Sequence, residues 1–138
     1  MKRNRSRCIG LDTSIVLRLL LGEPETQAKK AVAQLDEIRT NGQQAVVCDL
    51  VVSEAYFALQ HHYDVPKQIA LDHLREFFES PEILATGEAP SILSQPNLGK
   101  AKPGFVDRLI HAHYLRETGG MLTFEKAAAK LPGAILPK

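Results

Sequence analysis

Apolar residues recur along this chain in two patterns, short unbroken runs and longer stretches with an apolar residue every three or four positions. The short runs predict buried strands and the periodic stretches predict amphipathic helices. Helices are expected at residues 13–21, 25–39, 50–63, from Pro66 onward, briefly near Ser91, at 105–117 and at 125–131. Strands are expected at residues 8–12, 45–48, 82–85, 121–124 and 134–136.

The ends of these elements have ordinary turn and cap signals. Gly22 is expected to end the first helix, and Asp49 is expected to cap the helix over 50–63. In the helix over 25–39, Ala28, Ala31, Val32 and Leu35 form the predicted inward stripe. Strands that alternate with helices predict an α/β fold with three α/β/α layers and a short, mostly parallel central sheet.

Length and composition indicate one compact domain over residues 1–138. The chain has 138 residues, 44% of them hydrophobic, which suits a single core. The longest apolar runs are too short to cross a bilayer, and the N-terminus lacks the apolar stretch of a secretory signal. The two cysteines, Cys8 and Cys48, show no metal spacing or disulfide framework, so a cytoplasmic protein with no membrane partner is expected.

The net charge of +1 neither indicates nor excludes a nucleic-acid ligand. The densest basic cluster is the N-terminal tail over residues 1–7, with Lys2, Arg3, Arg5 and Arg7. Either a solvated tail or an arm that contacts phosphates agrees with this pattern.

Four carboxylates are expected near the carboxyl ends of the strands, where active groups collect in α/β folds. Asp12 closes the first strand, Glu54 lies in the helix after the second, Asp107 lies in the first turn of the helix over 105–117, and Glu125 follows a later strand. Asp12 also suits a helix cap and Asp107 a partner for the helix dipole, so both uses stay open.

Carboxylates that converge repel one another unless a cation lies among them. Oxygen ligands favour Mg²⁺ or Mn²⁺ over zinc. Glu54 shares its predicted helix face with apolar residues, so it is expected to face inward and to be balanced by the metal.

Three segments together resemble a known family: LDTS near the N-terminus, VVSEAYFAL in the middle, and GFVDRLIHAHYLRETGGMLTFEKAAAKLPG near the C-terminus. In order and spacing they resemble PIN-domain ribonucleases, and within them the toxins of VapBC-type toxin–antitoxin pairs. The resemblance implies that Asp12, Glu54 and Asp107 are the catalytic acidic core that binds Mg²⁺ or Mn²⁺. It also implies that Thr13 or Ser14 helps to orient that site.

The resemblance departs from the family pattern at one position. The family usually has an aspartate where this chain has Glu125, which is one methylene longer. Glu125 is kept as a further site residue that either ligates the metal from a shifted backbone, acts only through water, or has no catalytic role. Thr123 is expected to point to the same side of its strand and to hydrogen-bond within the site. Arg108 is expected either to contact substrate phosphate or to be solvated, and His111 and His113 to lie on the helix surface or face a partner.

The expected function is a metal-dependent endoribonuclease toxin that hydrolyses RNA phosphodiester bonds. The resemblance implies a cognate antitoxin as inhibitor, and a homodimer or a toxin–antitoxin hetero-oligomer. Five apolar residues exceed what a small core must hold and are expected to line a groove or dimer face: Leu17, Leu20, Leu21, Phe57 and Leu59. The alternative is a catalytically weakened PIN-like module that binds RNA or protein. A haloacid-dehalogenase-like phosphatase is disfavoured, because it needs a second aspartate where this chain has Ser14.

Overall fold

A computed structural model describes residues 7–138, so the predicted basic tail lies outside the described residues except for Arg7. The fold contains six α-helices and five strands within that range. The helices are α1 (Thr13–Leu21), α2 (Glu25–Thr40), α3 (Asp49–His61), α4 (Lys67–Phe77), α5 (Ala89–Leu93) and α6 (Phe105–Glu117). The strands are β1 (Cys8–Gly10), β2 (Gln44–Val47), β3 (Ile83–Ala85), β4 (Met121–Leu122) and β5 (Ala134–Ile135).

The central sheet is parallel, with β2 between β1 and β3. Successive side chains of a strand point to opposite faces of its sheet. Ala45, Val46 and Val47 of β2 are all buried, so both faces of the central strand are covered. This confirms the α/β prediction of a short parallel sheet packed between helices.

The last two strands form a separate parallel pair. The amide of Met121 donates to the carbonyl of Gly133 at 2.9 Å, and the amide of Thr123 donates to the carbonyl of Ile135 at 2.9 Å. Within residues 7–138, β4 and β5 pair only with each other. The parallel strands therefore belong to two sheets of three and two strands.

The core lies between the central sheet and the helices, and two predictions about it were wrong. Val32 is 58% exposed, so the inward stripe of α2 is narrower than predicted. It consists of the buried Ala28 and Ala31, with Leu35 partly buried against the core. Leu17 and Leu59 are buried, so they belong to the core and not to a docking face.

One predicted helix forms only in part. Over residues 125–131 the structure has a single 3-10 turn at Ala128–Lys130. The amide of Glu125 donates to the hydroxyl of Thr123 at 3.0 Å, which starts a turn rather than a helix. Pro132 then prevents the short segment from continuing, and so few residues cannot offset the cost of helix nucleation.

His111 is buried in α6, which corrects the prediction that it lies on the surface or faces a partner. It is 7% exposed, and its Nε2 lies 2.6 Å from the carbonyl oxygen of Pro132. The contact ties α6 to the turn before β5.

Over residues 7–138, no helix combines the length and apolar character needed to span a membrane.

Candidate functional site

The carboxyl ends of the three parallel strands lie at one edge of the central sheet, and an acidic residue follows each of them. Asp12 follows β1, Asp49 follows β2 and Glu88 follows β3. Strand pairing continues to this edge, where the amide of Leu11 donates to Val46 and the amide of Thr86 donates to Val47. The backbone that carries the carboxylates near this edge is therefore held in place by the sheet.

Asp12 is the N-terminal cap of α1. Its Oδ1 accepts a hydrogen bond from the Ser14 hydroxyl at 2.7 Å and one from the Ile15 amide at 3.2 Å. The bond from Ser14, followed by that from Ile15, lowers the pKa of Asp12 below its ordinary value. Asp12 is exposed, and within the described chain no hydrogen bond reaches its Oδ2. Asp12 is thus an ionised carboxylate whose Oδ1 binds Ser14 and Ile15 and whose Oδ2 binds neither of them.

Glu54 reaches this position from α3. The hydroxyl of Thr13, the first residue of α1, donates to Glu54 Oε1. This single contact joins the residue beside Asp12 to a carboxylate 41 positions away from Thr13.

The expectation that Glu54 faces inward was wrong. Glu54 is exposed, and Leu50 and Phe57 on the same side of α3 are 83% and 56% exposed. Leu50 and Phe57 therefore belong to an exposed surface, whereas Ala58 on the same side is buried and Val51 is half-buried. A carboxylate there is solvated and needs no cation to offset its burial.

Asp49 has a role that sequence reasoning missed. It was expected to cap α3, but it is the first residue of that helix and Cys48 occupies the cap position. The Asp49 carboxylate accepts from the amides of Glu88 at 3.0 Å and Ala89 at 3.1 Å, so it caps α5 instead. Its position two residues after β2, matching that of Asp12 two residues after β1, was the signal for a role at this edge.

Asp107 and Glu125 do not join a compact group with the other carboxylates. Both are exposed, Asp107 in the first turn of α6 and Glu125 in the turn after β4. In the described part of the chain, no three His, Cys, Asp or Glu side chains are grouped closely enough to hold a metal ion. The predicted convergence of four carboxylates is therefore not seen, and the metal roles of Asp107 and Glu125 stay predictions.

Two of the predicted supporting residues have local partners. Arg108 donates through Nε to the carbonyl of Pro103 at 2.8 Å and through Nη1 to Gln95 Oε1 at 3.1 Å. Its guanidinium thus fixes the loop before α6, and phosphate contact stays a prediction. The hydroxyl of Thr123 is used in the turn at Glu125, and Thr123 lies just beyond β4. His113 is exposed, as expected.

Comparison with known families decides the classification. The model of the PIN domain matches residues 9–134, which is most of the chain. The chain belongs to the PIN domain family. Neither a curated protein nor a solved structure matches it. PIN domains are generally nucleases and typically depend on divalent metal ions.

The carboxylate oxygens at this edge of the sheet are the type of ligand that a hard divalent ion prefers. Asp12 and Glu54 are exposed oxygen donors, each with one carboxylate oxygen that accepts no hydrogen bond within residues 7–138. Mg²⁺ keeps several waters and commonly takes only one or two carboxylates, together with substrate phosphates. Two carboxylates linked through Thr13 meet that requirement, whereas a cage made only of protein ligands would need more.

Proposed function

We propose that this PIN domain is a metal-dependent endoribonuclease that hydrolyses RNA phosphodiester bonds. The observation that carries the proposal is the hydrogen bond from Thr13 to Glu54. It brings a carboxylate of α3 to the segment that carries Asp12, at the carboxyl edge of the sheet. The family match supports nuclease chemistry at this edge.

In this proposal Asp12 and Glu54 would hold Mg²⁺ or Mn²⁺, and water and substrate phosphate would complete its coordination. Ligation by Asp107 and Glu125 stays a prediction from the sequence resemblance. Such an ion, when bound, would lower the pKa of a water molecule and offset charge on the phosphate oxygens. Ser14 keeps Asp12 ionised and oriented, and Thr13 holds Glu54 in position. The carboxylates need only bind and orient, so the reaction requires no covalent nucleophile.

Replacement of Asp12 by asparagine tests the proposal. Asparagine is as good an N-terminal cap as aspartate, so α1 should persist while the negative charge is lost. We expect Asp12→Asn to abolish Mn²⁺-dependent cleavage of mixed RNA oligonucleotides, with a melting temperature near that of the parent chain. Asp36→Asn, which changes an exposed carboxylate on α2, should cleave normally. Metal-dependent cleavage by Asp12→Asn would refute the assignment.

The finer part of the proposal is that the nuclease is the toxin of a toxin–antitoxin pair. It rests on the sequence resemblance and on an exposed apolar surface. A groove of about 270 Å³ lies between α3 and α6 and is lined by Leu50, Val106, Ile110 and Tyr114, among others. Leu50 is 83% exposed there, so a partner segment or a second copy would bury apolar area.

Co-expression tests the partner. If the gene beside this one encodes the antitoxin, its product should relieve growth arrest caused by this chain and co-purify with it. Leu50→Asp should weaken co-purification while leaving cleavage intact. Growth arrest that the neighbouring product does not relieve would contradict the antitoxin proposal, and light scattering on the isolated chain would show whether the groove closes a homodimer instead.

One observation favours a second function, that of a PIN-like module which binds RNA or protein with weakened catalysis. No group of three acidic or other metal-binding side chains is assembled within residues 7–138. Titration with Mn²⁺ separates the two functions through ligand linkage, since an ion at 100 times its Kd stabilises a folded protein by about 2.7 kcal/mol. A nuclease site should raise the melting temperature in the parent chain and not in Asp12→Asn. A binding module should show no such rise, and no cleavage.

A further inference from the structure

A groove lies between α1 and α2, beside the proposed active site, and its lining includes the apolar Ile15 and Ala31 as well as polar and charged side chains. It encloses about 420 Å³. One face of α1 contributes Ser14 and Arg18, four residues apart. The facing side of α2 contributes Gln27, Lys30 and Gln34, which recur at the spacing of a single helix face.

The groove carries a local positive charge that is not evident from the net charge of the chain. Its described lining contains two cations, Arg18 and Lys30, and no aspartate or glutamate. Neither cation takes part in an ion pair within the described chain. Arg18 donates Nη1 to the carbonyl of Glu23 at 2.8 Å, which anchors its guanidinium and leaves its charge without a carboxylate partner. A local charge of this kind attracts anions although the net charge of the chain is only +1.

The groove begins at the proposed active site. Ser14 lines it and also donates to Asp12 Oδ1 at 2.7 Å. Arg18 lies four residues further along α1, a rise of about 6 Å. Arg18 thus lies about one helical turn from the carboxylate that is proposed to hold the metal, and Lys30 lines the same groove from α2.

We propose that the groove between α1 and α2 binds the phosphodiester backbone of a single RNA strand next to the bond that is cut. This inference rests on the proposed function. Arg18 and Lys30 bind phosphates, and Gln27 and Gln34 offer amide groups to phosphate or sugar oxygens. Contacts of this kind position a strand without reading its bases. The groove therefore sets the path of the strand, and it does not select the sequence.

A salt titration tests the groove. Binding of a short fluorescein-labelled polyuridine RNA is measured in EDTA, where cleavage does not interfere, between about 50 and 200 mM salt. Each phosphate contact to a single strand contributes about −0.7 to the slope of log K against log salt. We expect Lys30→Ala to make the slope shallower by about 0.7, and Lys30→Ala combined with Arg18→Gln by about 1.4.

Lys29 provides a matched control on the same helix. It is adjacent to Lys30, equally charged and exposed, but it pairs with Glu25 at 3.0 Å and lies outside the groove. Lys29→Ala should leave the slope unchanged. Melting temperatures check that every variant is folded, which matters most for Arg18→Gln because it alters the contact to Glu23.

Three results would overturn the inference or separate it from the nuclease proposal. Equal slopes for Lys30→Ala and Lys29→Ala would overturn it. Lys30-dependent binding of a polyglutamate peptide, with RNA binding unaffected, would also overturn it and point to an acidic protein segment. A parent chain that binds RNA through Lys30 but does not cleave it with Mn²⁺ would support the groove while refuting the nuclease.

Discussion

Asp49 is expected to be one of the larger contributors to stability at the edge of the sheet. Its two carboxylate oxygens accept from the amides of Glu88 at 3.0 Å and Ala89 at 3.1 Å. These amides lie at the start of α5, and Ala89 is fully buried. Replacing Asp49 by alanine leaves both donors without their partner and removes the link between α3 and the segment after β3.

The magnitude follows from the two bonds. A hydrogen bond to a charged group contributes about 1.5–3 kcal/mol, and loss of a helix cap costs about 0.5–2 kcal/mol. These quantities describe the same two contacts, which are only half buried, so they do not add. We expect Asp49→Ala to cost about 2 kcal/mol. For a chain of this size that lowers the melting temperature by roughly 8 °C.

Gly87 makes the prediction sharper. A Cβ at Gly87 would lie 2.3 Å from Asp49 Oδ2, and the three atoms nearest to it all belong to the Asp49 carboxylate. Gly87→Ala should therefore destabilise the parent chain, because it displaces the carboxylate from the amides. In an Asp49→Ala background that clash is gone, so the same change should cost little. The double-mutant cycle should show a coupling of at least about 1 kcal/mol.

Urea unfolding of the four proteins, followed by circular dichroism, measures the cycle. Asp36→Ala is the control, because Asp36 is an exposed carboxylate whose ion pair with Arg39 lies at the surface. It should cost no more than about 1 kcal/mol. If Asp49→Ala costs no more than this control, or if the Asp49 and Gly87 effects simply add, the capping role is refuted.

Three further results are expected. Thr13→Val keeps the shape of the side chain but removes the donor to Glu54, so kcat/KM with Mn²⁺ should fall about 10–100-fold. Thr13→Ser keeps the hydroxyl and should largely preserve kcat/KM. Equal rates for the two variants would count against the positioning role of Thr13. Gly120→Ala should lower the melting temperature, because its Cβ would lie 2.7 Å from a backbone oxygen of the β5 turn, whereas Gly119→Ala, with nothing within 4 Å, serves as the control. Because folding lowers the pKa of Asp12 below its ordinary value of 3.8, its carboxylate stabilises the fold at pH values above 3.8, and this stabilisation is lost as the pH falls through the folded pKa. In urea unfolding at graded pH, Asp12→Asn should therefore lose less stability on acidification than the parent chain. An unchanged loss of stability in acid would contradict this.

Local signals predicted the elements well. The helix over 105–117 agrees with α6 at both ends, and Gly22 ends α1 in the left-handed conformation, with φ of 70°. Such signals act within a few residues, where capping and backbone preferences decide the structure. The position of Asp12 was predicted on the same basis, because the strand before it and the helix after it together determine where a connecting residue lies.

Long-range packing was harder to predict. Periodicity shows which residues of a helix share a face, but it does not show whether that face meets the core. The face of Glu54 carries Leu50 and Phe57 and was taken as buried, yet both are exposed. His111 shows the reverse case, since a polar residue in α6 is buried because the carbonyl of Pro132 lies 2.6 Å away. No pattern within α6 encodes that partner.

The site combines these two kinds of information. Asp12, Thr13 and Ser14 are placed together by their order in the chain, and one contact from Thr13 across 41 positions adds Glu54. Glu125 depends instead on β4, which pairs only with β5 among the described residues and not with β1. Glu125 was predicted to join the other carboxylates because β4 was expected to belong to the same sheet as β1 and β2. With two sheets, the edge of the larger one supplies two linked carboxylates, so an ion bound there would need substrate phosphate or water to complete its coordination.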